Sequence, residues 1–167
     1  MSASAYRVPA IALAALMTAS FAAPASADLL ARKDLSLDTA LTIATTAAAT
    51  CKGQGHRVSV HVVGRNGEVL VSLRGDNASP HTMENSMRKA YTSRTFRMPS
   101  GEFATRVKEN PTLGQVHLAN IVASQGALPI KVGEDVIGAV GVSGAPGGDK
   151  DEVCAKTGID KVADQLK

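Results

Sequence analysis

Apolar and polar positions alternate along this chain with two periods, and the changes of period mark its elements. Leu37, Leu41, Ala44 and Ala48 recur at helical spacing from Leu37 to Lys52, behind Ser36 as N-cap and with Asp38 in the first turn, and Gly53 and Gly55 end that helix. Val58 to Val63 and Val69 to Leu73 are rich in β-branched residues and flank Gly64-Arg65-Asn66-Gly67, whose Asn-Gly pair predicts a hairpin of two antiparallel strands. On the first strand Ser59, His61 and Val63 share one face and Val58, Val60 and Val62 the other. The placing of His61 on a sheet face suits a hydrogen-bonded structural histidine.

Pro80, behind Ser79 as N-cap, opens a helix predicted to run to about Phe96, with Met83, Met87, Ala90, Tyr91 and Arg94 along one face. Pro99 breaks it, and Ser100 caps a shorter helix from Gly101 to about Lys108 that Asn110-Pro111 ends. Leu113 to Asn120, with His117, reads as a short helix or a loop. Ile121–Ser124, Leu128–Val132 and Asp135–Val142 read as three strands, with turns at Gln125-Gly126 and Gly133-Glu134. Gly138 and Gly141 in the last strand imply close approach of another backbone or a helix. A glycine-rich turn, Gly144 to Gly148, then feeds a helix to Gln165, loosened at Gly158 and with Asp149 able to cap it. The order helix, two strands, two helices, three strands, helix predicts an α/β (α+β) single domain: a five-stranded antiparallel sheet flanked by helices, the first and last sharing a face.

Residues 1–27 read as a signal peptide. Arg7 supplies the positive start, Val8 to Ala22 the apolar run and Ala25-Ser26-Ala27 the cleavage site, so the mature domain is expected to be residues 28–167, periplasmic or secreted. No later run reaches the ~20 apolar residues a membrane-spanning helix needs. The formal charge of +3 is mixed along the chain rather than gathered into a basic stripe, which argues against nucleic-acid binding. The glycine-rich turn lacks the P-loop lysine and does not fit GxGxxG, which argues against a nucleotide site. In an oxidising compartment Cys51, near the end of the first helix, lies opposite Cys154, near the start of the last, if those helices run antiparallel; a disulfide there or two free thiols both stay open.

Beyond the leader, every aromatic residue and every methionine falls within Arg74 to Phe103: Met83, Met87, Tyr91, Phe96, Met98 and Phe103. Flat apolar surface beside His81, Arg88, Lys89, Arg94 and Arg97 suits a tetrapyrrole with acidic side chains; the alternative is the bulky part of an alanine- and valine-rich core. His81 lies about 200° round the helix from Met83, so the two cannot ligate one atom. No HExxH, GxSxG or CxxC appears, and the sequence leaves open whether the protein is an enzyme.

Arg74-Gly75-Asp76-Asn77-Ala78 after the hairpin, Lys89-Ala90-Tyr91-Thr92-Ser93 with Phe96 and Pro99 following, and Gly138-Ala139-Val140-Gly141-Val142-Ser143-Gly144 before an acidic helix start resemble the GlcG/HbpS family of haem-binding or haem-degrading proteins. The sequence departs from the family pattern at Gly64, where an aspartate is usual, and at Gln125-Gly126-Ala127-Leu128-Pro129. The resemblance implies a profilin-like domain from about Leu35 to Leu166, association into homo-oligomers and, in some members, haem binding, iron-linked haem degradation or a sensor or receptor partner. The expected function is then an exported haem-binding protein, haem-degrading or haem-sensing; the alternative is a non-catalytic oligomeric accessory module without haem. Haem needs an apolar slot, cations for its propionates and usually an axial ligand from His, Met, Cys or Tyr. The candidates are His81 as iron ligand, with His117, His61 and Tyr91 behind it; Met83, Met87, Tyr91 and Phe96 as pocket wall; and Arg88, Lys89, Arg94 and Arg97 for propionates.

Overall fold

A computed structural model describes residues 29–167; the expected signal peptide, residues 1–27, lies outside them. Four helices and four strands follow in the order α1 (Leu37–Gly53), β1 (Ser59–Val63), β2 (Val69–Arg74), α2 (His81–Phe96), α3 (Ser100–Glu109), β3 (Ala127–Val132), β4 (Asp135–Ser143) and α4 (Gly148–Asp160). Ser36 Oγ accepts from Thr39 N at 3.2 Å and starts α1, and Gly55, with φ at 80°, lies just past its end. Gly67, with φ at 82°, supplies the left-handed residue that the β1–β2 turn requires.

The strands form one antiparallel sheet in the order β2-β1-β4-β3. The central strand β1 is buried at every position, whereas β3, which carries Pro129, is an edge. Val60, Val62, Val140 and Val142 face α1 and α4, which supply Ala40, Ile43, Ala44, Ala47, Cys51, Cys154 and Ala155 to one core. Val63 and Ala139 point the other way, against Ala90 of α2. Helices thus cover both faces. Cys51 and Cys154 form a disulfide, with Cα atoms 5.6 Å apart, across the α1–α4 contact.

The sheet has four strands, not five. Ile121–Ser124 is irregular because side chains of α2 take its backbone groups: Arg88 Nη2 donates to Ile121 O at 2.7 Å and Val122 N donates to Thr92 Oγ1 at 3.0 Å. With Ile121 buried as an anchor, the backbone of Ile121 and Val122 N find their partners without a strand neighbour. His117 lies in a 3-10 turn, Gly114–His117. The last helix stops at Asp160, short of Gln165. Asp149 does not cap it. Its N-cap is Gly147, and Asp151, one turn in, accepts from Ala145 N through Oδ1 at 3.0 Å.

Candidate functional site

The position of α2 on the sheet decides where its side chains go. Gly141 of β4 has no Cβ, and one added there would meet Ser86 O and stand 2.7 Å from Ala90 N. The helix therefore lies close against β4 and presents Thr82, Ser86, Lys89, Ala90, Thr92 and Ser93, small or polar groups apart from the lysine, to the buried side. Of the face predicted from Met83, Met87, Ala90, Tyr91 and Arg94, Ala90 is buried against the sheet and the other four are only half-buried.

Serine hydroxyls complete the buried side. His61 Nδ1 pairs with Ser86 Oγ and Nε2 with Ser72 Oγ, each at 2.8 Å, while Ser59 Oγ meets Thr82 Oγ1 at 2.8 Å. Burial lowers the His61 pKa, holding the ring towards its neutral form. Both nitrogens are engaged, so His61 is a packing residue.

Lys89 is likewise occupied. Its Nζ donates to Asp151 Oδ2 at 2.9 Å and to Val142 O at 3.1 Å. Burial pushes the Asp151 carboxyl up, and Lys89 and the Ala145 N–H pull it back. The pair joins α2 to α4 and leaves no free ammonium for a propionate. Arg88 bonds Glu84 and Ile121 O. Arg94 makes no hydrogen bond among the described residues; burial first, then Arg97 and Arg65, lowers its pKa.

The other predicted residues are spread along α2 and not gathered. His81, at its N-terminus, lines a polar cleft of about 330 Å³ with Asn85, Lys89, Ser143 and the Gly144–Gly148 turn. Tyr91 and Arg94 line a cleft of about 180 Å³ at the hairpin, where Tyr91 packs on Gly67. Phe96 stacks on Phe103, centroids 4.3 Å apart, and lines a third of about 330 Å³ with Arg106 and Leu113. Met83, Met87 and Arg88 line none of these three.

A larger cleft, about 550 Å³, lies between the C-terminal end of α1 and the end of β2. Thr45, Ala48, Ala49, Val58 and Leu73 give it an apolar lining, and Lys52, His56, Arg57 and Arg74 bring an imidazole and three cations. An apolar slot with cations and a nitrogen ligand meets the requirements of a haem, which the polar cleft at His81 meets only in its imidazole. The sequence reading passed over His56. The signal was Lys52, His56 and Arg57 following a helix of small residues, but cations at a helix C-terminus are common for electrostatic reasons alone.

Residues 35–160 match the family model described as haem-degrading protein HbpS-like. The chain is 35% identical over 102 residues to an uncharacterised 15.0 kDa protein of Citrobacter freundii encoded between dhaT and dhaS, covering 59% of this chain and 71% of that one. Its structure resembles the crystal structure of HbpS with a TM-score of 0.76 and 36% identity, over 83% of this chain and 96% of that one. It also shares the fold of PduOC, solved as a haem complex, with a TM-score of 0.69 and 22% identity, over 76% of this chain and 94% of that one. The chain belongs to the HbpS-like haem-degrading protein family.

Proposed function

We propose that this protein is exported and binds haem. The observation that carries the reading is the family match over residues 35–160, and the haem complex of a protein with the same fold supports it. Export is supported by Arg7, the apolar run behind it and Ala25-Ser26-Ala27, which predict a mature chain beginning at Asp28 in the periplasm or medium. Homo-oligomers and a sensor or receptor partner belong to the same reading through the family.

Among the residues singled out along α2, His81 at the exposed start of the helix is the ligand candidate, and Met83, Met87, Tyr91, Arg94 and Phe96 are half-buried wall candidates. Haem degradation would draw its redox chemistry from the bound group. The protein's part would be to hold the macrocycle, orient it and limit access of water.

Haemin titrated into the purified mature protein should give a Soret band that shifts and saturates at a fixed stoichiometry. Free-haemin absorbance throughout would sink the reading and favour a haem-free interaction module. Mass spectrometry of the exported protein checks the cleavage at Asp28.

A further inference from the structure

We propose that the cleft between the end of α1 and the end of β2 is the tetrapyrrole seat, with the His56 imidazole as axial ligand and Lys52, Arg57 and Arg74 facing the propionates. The inference rests on the haem-binding reading above and adds the place and the ligand.

Shape comes first. The wall contributed by α1 is Thr45, Ala48 and Ala49, side chains too short to hold a planar ring away from the helix, and Val58 and Leu73 continue the apolar surface across to β2. At about 550 Å³ it is the most spacious of the clefts described, within the range of cofactor pockets.

The rim of the cleft is cationic. Lys52, Arg57 and Arg74 stand against one carboxylate, Asp76, which lies 3.6 Å from Lys52 in a pair exposed on both sides. Such a rim pair is weak and exchanges readily for a ligand carboxylate. Arg57 makes no ion pair among the described residues, and Arg74 commits Nε and Nη2 to Ala78 O but not Nη1. The excess is two positive charges, matching the two propionates of a haem.

His56 brings an imidazole to the cleft. Among the described residues neither ring nitrogen of His56 has a hydrogen-bond partner, and the residue is half-buried. Its backbone is nevertheless fixed: His56 N donates to Cys51 O at 2.9 Å, and Gln54 N to the same oxygen at 3.1 Å. Cys51 is itself tied to α4 by the disulfide. From the other side Gly144, with φ at 135°, lies so close to this segment that an added Cβ would stand 2.9 Å from Val58 Cα. A fixed backbone under an uncommitted imidazole is the preorganisation an axial ligand needs. The other histidines compare poorly. His61 has both nitrogens engaged, His81 faces a polar cleft and His117 lines none of the clefts described.

The test is a haemin titration of the mature protein and three variants, followed by Soret absorbance and ferric electron paramagnetic resonance. His56→Ala should lose the imidazole-ligand signature and weaken binding by about tenfold or more, and added imidazole should restore the signature. His81→Ala should match wild type. Lys52→Ala with Arg57→Ala should weaken haemin by about tenfold yet leave unchanged the weaker binding of haemin dimethyl ester, which has no carboxylates. A wild-type spectrum and affinity in His56→Ala, or loss of the signature in His81→Ala, overturns this assignment while the haem reading stands. A wild-type protein without a Soret shift overturns the reading itself. Circular dichroism of each variant separates ligand loss from misfolding.

Discussion

Lys89 Nζ lies 2.9 Å from Asp151 Oδ2 with both side chains almost wholly out of solvent, 4% and 3% exposed, so a buried charge pair ties α2 to the first turn of α4. The pair is completed by Val142 O on the lysine and Ala145 N on the aspartate. In the family resemblance this lysine opens the Lys89-Ala90-Tyr91-Thr92-Ser93 motif, and the aspartate lies in the acidic helix start that follows the glycine-rich turn. The pair gives both motifs a structural meaning independent of any ligand.

Removing one member leaves the other charge buried without a partner. Lys89→Met should therefore cost about 3–5 kcal/mol in urea unfolding. Adding Asp151→Asn should recover a large part of that loss. Equal stabilities for wild type and Lys89→Met would show that the two charges are not paired in solution.

His61 sets a pH dependence. Its folded pKa lies below the ordinary value of 6.5, because burial disfavours the charged ring. Between the folded pKa and 6.5 the unfolded chain binds more protons than the folded one, so stability falls as pH drops below 6.5 and levels off only below the folded pKa. Unfolding free energies from pH 7.5 downwards should show this slope in wild type and a flatter one in His61→Gln. An identical slope in both would place the titration elsewhere.

The disulfide spans 103 residues of sequence, so its loss frees a long loop in the unfolded chain. Cys51→Ala with Cys154→Ala should lose about 3–5 kcal/mol and lower Tm on the order of 10 °C. The wild-type protein should show no free thiol until it is unfolded in reductant, since both sulfur-bearing residues are fully buried. Thiol labelling of the native protein would contradict the bond.

Much of the fold was legible because local chemistry and tertiary structure agree. Asn66-Gly67 marks the hairpin, Ser36 starts α1, and Gly141 announces the close approach that α2 makes. Where they disagree, the sequence misled. Ile121–Ser124 has a strand-like pattern, yet its backbone partners are Arg88 and Thr92 of α2, a pairing that no periodicity in the segment itself reports. The methionines, Ala90 and the tyrosine of α2 look like its core stripe, but contact with a glycine-bearing strand centres the buried side on the small residues Ser86 and Ala90 and leaves Met83 and Met87 half-buried.

The same packing explains why the candidate site was only partly legible. His81, Tyr91 and Phe96 share a helix, but fifteen positions along a rod with a rise of about 1.5 Å per residue carry its ends into different clefts. His56, Arg57 and Arg74 come from a loop and a strand end that the β1–β2 pairing brings together, Ser59 opposite Arg74 and Gly75 N donating to Val58 O at 2.9 Å, a meeting that the helical spacing along α2 does not report.

The most direct measurement is a proton–nitrogen NMR spectrum of the mature protein with and without ferric haemin, whose unpaired electrons broaden nearby amide signals. Broadening centred on Thr45–Arg57 and Leu73–Asn77, extending to Gly144 where it packs on Val58 and weaker over His81–Asn85, is the predicted result. Broadening centred on Ser79–Asn85, or spectra unchanged by haemin, would contradict it.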